Sequence, residues 1–167
     1  PGTDLHPSAI DGVARAADAL AAAGWEVVDA VPPEIGRCAE IWTHLLANDI
    51  GDLMEVARPI LSEELGAMLD AMAAVYSPER LAPAVVQTEY MRLAREWSLF
   101  LVDHPVLVMP TWTQQTFPNG ADVSDDIGIG GLSELLCCII PGNVLALPVV
   151  AVPVGVADGL PLGVQCY

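Results

Sequence analysis

The apolar positions of the chain alternate between two periods, and that change of rhythm predicts its elements. After Pro7, which suits the first turn of a helix, Ile10, Val13, Ala17, Leu20 and Ala21 recur at helical spacing up to Gly24. Trp25-Glu26-Val27-Val28-Asp29-Ala30 then reads as a short strand stopped by Pro32-Pro33. From Cys38 to about Met72 the helical period returns. Ile41, Leu45, Leu46, Leu53 and Met54 mark one part, and Leu61, Leu65, Met68, Leu69 and Met72 the next, with a break or kink expected at Pro59. Ser77-Pro78-Glu79 carries the features of a helix start: an N-cap serine, a proline at the first helical position and a carboxylate near the positive end of the dipole. Val86, Tyr90, Leu93, Trp97, Phe100 and Leu101 trace one face of the following helix to about Asp103.

Beyond that point the pattern shortens. Val106 to Met109 is a continuous apolar run ended by Pro110, as suits a central strand buried on both faces. Residues 111–131 are polar and glycine-containing, a loop long enough to be functional or disordered. A helix is expected from near Leu132 to before Pro141-Gly142. Two strands, Val149 to Val156 and Leu162 to Tyr167, follow around the turn Ala157-Asp158-Gly159. The second strand runs into Tyr167, so that residue reads as a truncation point.

Composition narrows the setting. The 167 residues suffice for one domain with a core, and 53% are hydrophobic, above the roughly 45–50% usual for soluble domains even counting glycine. A piece of a larger core would show that excess. The longest apolar candidate, Val144 to Val156, is broken by Pro148 and Pro153 and falls short of the ~18 residues of a membrane span. No basic n-region of a signal peptide opens the chain. The formal charge of −16 repels phosphate backbones and anionic lipid, so neither nucleic acid nor membrane is an expected partner. Cys38, Cys137, Cys138 and Cys166 make no Cys-x-x-Cys pair, which favours a reduced, cytoplasmic setting with Cys137 and Cys138 as buried thiols.

Candidate chemistry is mostly excluded. Asp49, Asp52 and Glu55 lie three apart, but without a histidine they read as a solvated face. Asn119, Asp122, Asp125 and Asp126 lack the alternation of a calcium loop, and His6, His44 and His104 lack metalloprotease spacing. Gly128-Ile129-Gly130-Gly131 has neither a feeding strand nor a following Lys-Ser/Thr pair, and reads as a flexible turn. No serine sits in a Gly-x-Ser-x-Gly elbow. Neither metal nor cofactor is expected.

The tail carries one specific motif. Gly142-Asn143-Val144-Leu145-Ala146-Leu147-Pro148 leads into an apolar strand ending Val152-Pro153-Val154-Gly155, and after a short turn comes Gly159-Leu160-Pro161-Leu162-Gly163-Val164-Gln165. This resembles the C-terminal signature of amidase-signature hydrolases, with Ala146 where that family usually has Gly. Leu107-Val108-Met109-Pro110-Thr111 is similar to the family's buried strand ending in Pro-Thr at the rim of the active site. The helix after Pro7 and the strand after Gly24 are similar to elements that follow the catalytic core.

The resemblance implies an α/β fold: the C-terminal part of the amidase-signature fold, a mixed central sheet covered by helices on both faces. Its chemistry uses one Ser, a second Ser joined through a cis peptide bond, and a Lys, all upstream. This chain has no lysine, and its six arginines cannot replace one as a base near neutral pH. Residues 1–167 therefore read as a single incomplete domain, a fragment without catalytic residues of its own, whose partners are the missing N-terminal half and a small-molecule amide, with a homodimer allowed. The implied reaction is acyl transfer from amide to Ser and then to water. The loop after the Pro-Thr strand contributes to the family's acyl pocket, which makes Thr111, Trp112 and Thr113 the substrate-binding candidates, Trp112 hinting at a bulky acyl group. Pro110, Asn143, Pro148, Pro153, Gly155, Gly159, Leu160, Pro161, Gly163 and Gln165 are the structural signature, Asn143 being expected to fix its loop through backbone bonds. Two other readings stand beside this one: the amidase-like subunit of a tRNA-dependent amidotransferase, and a stand-alone binding domain whose acidic surface meets a basic partner.

Overall fold

The computed structural model describes residues 4–76, 81–124 and 127–167. Helix α1 (Pro7–Ala22) starts with Pro7 in its first turn and is capped by His6, whose ring accepts from the Ser8 N–H. Gly24, at φ +93°, then turns the chain in the left-handed region that suits glycine. Helix α2 (Ile35–Ala57) ends in a 3₁₀ turn, Arg58–Ile60, with Pro59 in its first positions, and α3 (Glu63–Tyr76) follows. Pro59 thus separates the two helices as its missing N–H requires.

Helix α4 (Pro83–Asp103) buries Val86, Leu93 and Trp97 on one stripe. The helix start expected at Ser77-Pro78-Glu79 lies outside the described residues, as do Asp125 and Asp126 and the side chains of Asp49, Asp52 and Glu55. Strand β1 (Val108–Pro110), helix α5 (Gly128–Leu136), helix α6 (Ile140–Leu145) and strands β2 (Val150–Ala157) and β3 (Leu160–Cys166) complete the order.

The sheet runs β1-β3-β2, and both pairings are antiparallel. Asp158 and Gly159, at φ +53° and +78°, make a two-residue hairpin turn between β2 and β3, with the positive φ values that a tight hairpin needs. The register sets Met109 opposite Gln165 and Gln165 opposite Ala151, so these share one face, while Pro110, Val164 and Val152 share the other. One face packs on α1, which touches all three strands; Gly12 lets Leu162 approach closely there. Beyond the other lies the main core, where Trp97, Leu93, Ile41, Cys38, Ile140, Met109 and Tyr167 meet. Trp97 and Tyr167 lie 5.8 Å apart between ring centroids, and the Trp97 indole donates to Pro33 O at 2.8 Å. The α/β class holds, with helices on both faces.

Four expectations are corrected. Residues 25–30 form no strand: Trp25 and Val28 are 50% and 55% exposed, and none of the three strands pairs with them. An extended run becomes a strand only when another backbone completes its hydrogen bonds. Second, β1 lies at one edge of this sheet, and the central position belongs to β3. Third, the single helix expected from Leu132 is two helices, α5 beginning at Gly128 and α6 beginning at Ile140, because Pro141 fits a first turn and starts a new helix. Fourth, Gly128-Ile129-Gly130-Gly131 is consequently the opening turn of α5.

Candidate functional site

The end of β1 is where signature residues from both parts of the tail converge. Gln165 is buried on β3, and its side-chain amide donates to Pro110 O at 3.1 Å and also to Cys138 O. The Tyr167 hydroxyl donates to the same Cys138 carbonyl and accepts from the Gly142 N–H. Two side chains at the end of the chain therefore tie β1 to the α5–α6 corner, and burial pushes the Tyr167 hydroxyl up to about 12. Gly142 is needed here, since a Cβ would meet Val149 at 2.9 Å and the Tyr167 ring at 3.1 Å.

From Pro110 the chain passes outward through the three pocket candidates, which play different parts. Thr111 is half-buried and lies over Gly163 of the neighbouring strand, its hydroxyl 3.4 Å from where a Cβ would project. Trp112 is half-buried with its ring edge-on to Phe117, centroids 5.7 Å apart. Thr113 is buried to 1% exposure, and its hydroxyl donates to Glu134 O at 3.2 Å. Its N–H points to Leu135 O, and its carbonyl accepts from the His6 N–H at 2.8 Å. Thr113 thus joins the start of α1 to the end of α5.

Two hollows flank this segment. A small cleft of about 50 Å³ lies between Thr111, Trp112 and Gln115 on one side and Ala157, Leu160 and Gly163 on the other. Ser8 also lines it, held by His6 Nδ1 at 2.8 Å in what is a helix-capping arrangement. A larger groove of about 410 Å³ has Phe117, Ile127 and Leu135 as apolar walls, with Asp4, Thr113, Gln114, Gln115 and Glu134 as polar ones. Its volume is that of a small-molecule site, roughly 300–1,000 Å³.

The remaining signature residues shape the hairpin. Pro153 and Gly155 flank a bulge in β2, where Gly155 takes φ +143° and the Arg15 guanidinium sits 2.7 Å from where a Cβ would be. Gly159 makes the turn, and Leu160, Pro161 and Gly163 line the small cleft. Pro148 is exposed between α6 and β2. Asn143 is exposed on α6, and among the described residues no side-chain hydrogen bond fixes it, so the loop-holding role expected of it is taken by Gln165 and Tyr167. Sequence reasoning assigned no pocket role to Ser8, Gln114 or Gln115, because each reaches the cleft only through folding.

Cys38 and Cys138 are buried thiols held above their usual ionisation range, Cys38 by desolvation and Cys138 first by the neighbouring Cys137, whose sulfur is 3.8 Å away, and then by desolvation. They are poor nucleophiles, since the thiolate is the reactive form. Among the described residues, no three His, Cys, Asp or Glu side chains are placed to hold a metal ion. No helix among them is long and apolar enough to cross a membrane.

A helix-clad antiparallel hairpin, fastened by Gln165 beside a Pro-Thr strand end, defines an α/β domain with its hollows at the strand-end corner. The family model described as Amidase matches residues 1–167, and the chain belongs to that family. It is 31% identical to the indoleacetamide hydrolase of Bradyrhizobium diazoefficiens across 97% of this chain and 32% of that protein. It is 27% identical to the 6-aminohexanoate-cyclic-dimer hydrolase of Pseudomonas sp. strain NK87, across 96% and 36%. The chain spans about a third of the length of these relatives. A glutamyl-tRNA(Gln) amidotransferase subunit of Lactobacillus johnsonii is 33% identical over 44% of the chain. A solved structure of a 6-aminohexanoate cyclic dimer hydrolase with substrate shares the fold at TM-score 0.69 and 24% identity, covering 97% of this chain and 38% of that one. The corresponding glutamyl-tRNA(Gln) amidotransferase subunit of Thermotoga maritima does so at 0.73 and 19%, covering 98% and 35%.

Proposed function

We propose that this chain is the C-terminal part of an amide hydrolase, and that it supplies one wall of the acyl pocket and part of the sheet behind it. The catalytic Ser, its partner Ser and the Lys belong upstream of Pro1 in the natural polypeptide. In that reaction the Ser oxygen attacks the amide carbonyl, and the carbon–nitrogen bond breaks as the amine takes a proton. Water then hydrolyses the acyl-Ser ester and releases the acid. The contribution of these residues is positioning and exclusion of water: Thr111 and Trp112 bound the cleft, while Thr113 fixes their place from behind.

The observation that carries this reading is sequence likeness to amide hydrolases over nearly the whole chain, against likeness to amidotransferase subunits over under half of it. Trp112 suits an amide with a flat or bulky acyl group, and the name of the indoleacetamide relative is in keeping with that. Four cysteines outside any disulfide among the described residues are in keeping with a reducing, cytoplasmic compartment. The amidotransferase subunit is the second reading, supported by 33% identity to such a subunit over 44% of the chain.

A substrate panel on the natural polypeptide separates the two. Arylacetamide, aliphatic and cyclic amides are assayed for ammonia or amine release, beside glutamine with and without glutamyl-tRNA. Hydrolysis of a free amide, fastest for the arylacetamide, is the expected result. Ammonia release confined to glutamine in the presence of glutamyl-tRNA transfers the chain to the second reading.

A further inference from the structure

The geometry points to a latch between Gln115 and Asp158 that sets how large an acyl group enters beside Trp112, an inference that rests on the acyl-pocket reading of this cleft. The segment 111–118 leaves β1 without regular structure, and it is held at Thr113, at Gln114, whose Nε2 donates to Asp4 O, and at Gln115. At Thr113 the hold is buried and multiple, with the hydroxyl and N–H directed at the α5 carbonyls and the carbonyl taken by the His6 N–H. At Gln115 it is single and exposed: Nε2 donates to Asp158 Oδ2 at 2.9 Å.

Asp158 is a rigid post. It belongs to the two-residue turn between β2 and β3, its φ of +53° is set by that turn, and the ladder from β2 through β3 to β1 fixes the hairpin in place. Gln115 therefore reaches from one wall of the small cleft to the tip of the opposite wall, since Trp112 and Gln115 line one side and Ala157 and Leu160 the other. Gln114 and Gln115 also line the larger groove, so the same segment partitions about 50 Å³ from about 410 Å³. A partition pinned at Thr113, tied at Gln114 to Asp4 on the side of the larger groove and clipped at Gln115 on the side of the cleft exchanges volume between the two hollows when the clip opens. With the latch made, the cleft is well below the ~300 Å³ of ordinary small-molecule sites. With it open, bulkier acyl groups gain room against Trp112.

Gln115 and Asp158 are positioning residues, and their test reads selectivity and loop opening together. In the natural polypeptide, Gln115→Ala, Asp158→Ala and the double variant are compared for kcat/KM on a small aliphatic amide and an arylacetamide. Hydrogen exchange is followed across residues 111–118 in the same proteins. Loss of one such bond corresponds to a change of about fivefold. The expected result is an arylacetamide preference raised about fivefold, equally in the three variants because both partners serve one bond, with faster exchange confined to the segment. Asp158→Asn keeps an acceptor oxygen and restores the wild-type preference. Unchanged exchange in Asp158→Ala, or additive effects in the double variant, overturns the latch. A wild-type protein that cleaves no amide overturns the hydrolase reading instead, and the exchange data still decide whether the latch exists.

Discussion

Ala146 occupies a backbone position made for another residue. At φ +52° and ψ +39° it caps the C-terminus of α6 in the left-handed region, where a Cβ costs roughly 1–2 kcal/mol. Glycine would relieve that strain while adding back some freedom to the unfolded chain, so Ala146→Gly is expected to raise the unfolding free energy by about 0.5–1 kcal/mol. Urea titration checks it, and a lower midpoint would contradict the cap geometry. Gly142 is the opposite case. Gly142→Ala drives a methyl into Val149 and Tyr167 and should cost about 1–3 kcal/mol in the same titration. Tyr167 adds a pH dependence. Its hydroxyl is raised from 10.0 to about 12 by burial, so the folded state keeps a proton that the unfolded state gives up. The stabilisation is complete below about pH 10 and is lost as pH rises through about 12, and Tyr167→Phe should flatten the alkaline fall in thermal midpoint across that window. The glycine preference at position 146 was legible from the tail motif; the reason for it, a left-handed cap, is a property of the folded backbone.

Between elements, Arg92 is the main electrostatic tie. From α4 it reaches Glu34 at the N-cap position of α2 at 2.7 Å, with Glu89 at 3.0 Å and Glu96 at 2.8 Å on its own helix, and Arg37 of α2 returns to Glu89. Hydrogen bonds from Arg92 hold Glu34 and Glu89 below the ordinary carboxylate range. Folded carboxyls that ionise more readily stabilise the fold above their unfolded value of 4.5, and that stability is lost as pH falls through the lower folded values. Arg92→Met should therefore weaken the acid dependence of the thermal midpoint, and the gap between variant and wild type should shrink at high ionic strength because the Arg92–Glu34 pair is open to solvent. Helices α1, α2, α3 and most of α4 were legible because a 3.6-residue stripe is written locally in the chain. Residues 25–30 were misread because strand formation depends on a partner that local pattern does not name. The division of α5 from α6 was missed because the apolar run from Leu135 to Ile140 masks the helix start that Pro141 marks.

At the scale of the molecule, one sheet edge and several large apolar side chains face solvent. Val31, Val102, Val150 and Val156 are 90%, 75%, 63% and 62% exposed, and β2 presents an outer edge that no described strand pairs. Singly exposed apolar side chains are ordinary, whereas an open strand edge carrying Val150 and Val156 is normally covered. Expressed by itself, the chain should bind a hydrophobic dye and self-associate, and the natural polypeptide should do neither; light scattering with dye titration distinguishes them. The site was partly legible for a related reason. Thr111 and Trp112 follow a motif readable in sequence, whereas Ser8 and the Gln115–Asp158 pair come to the cleft from positions far apart in the chain. The proposal at stake is that these residues complete the pocket of an amide hydrolase whose nucleophile lies elsewhere in the same polypeptide. The most direct measurement compares ammonia and acid formed from an arylacetamide by the natural polypeptide and by residues 1–167 alone. Equimolar ammonia and acid are expected from the first and neither from the second. Turnover by residues 1–167 alone, or none by the natural polypeptide, would contradict it.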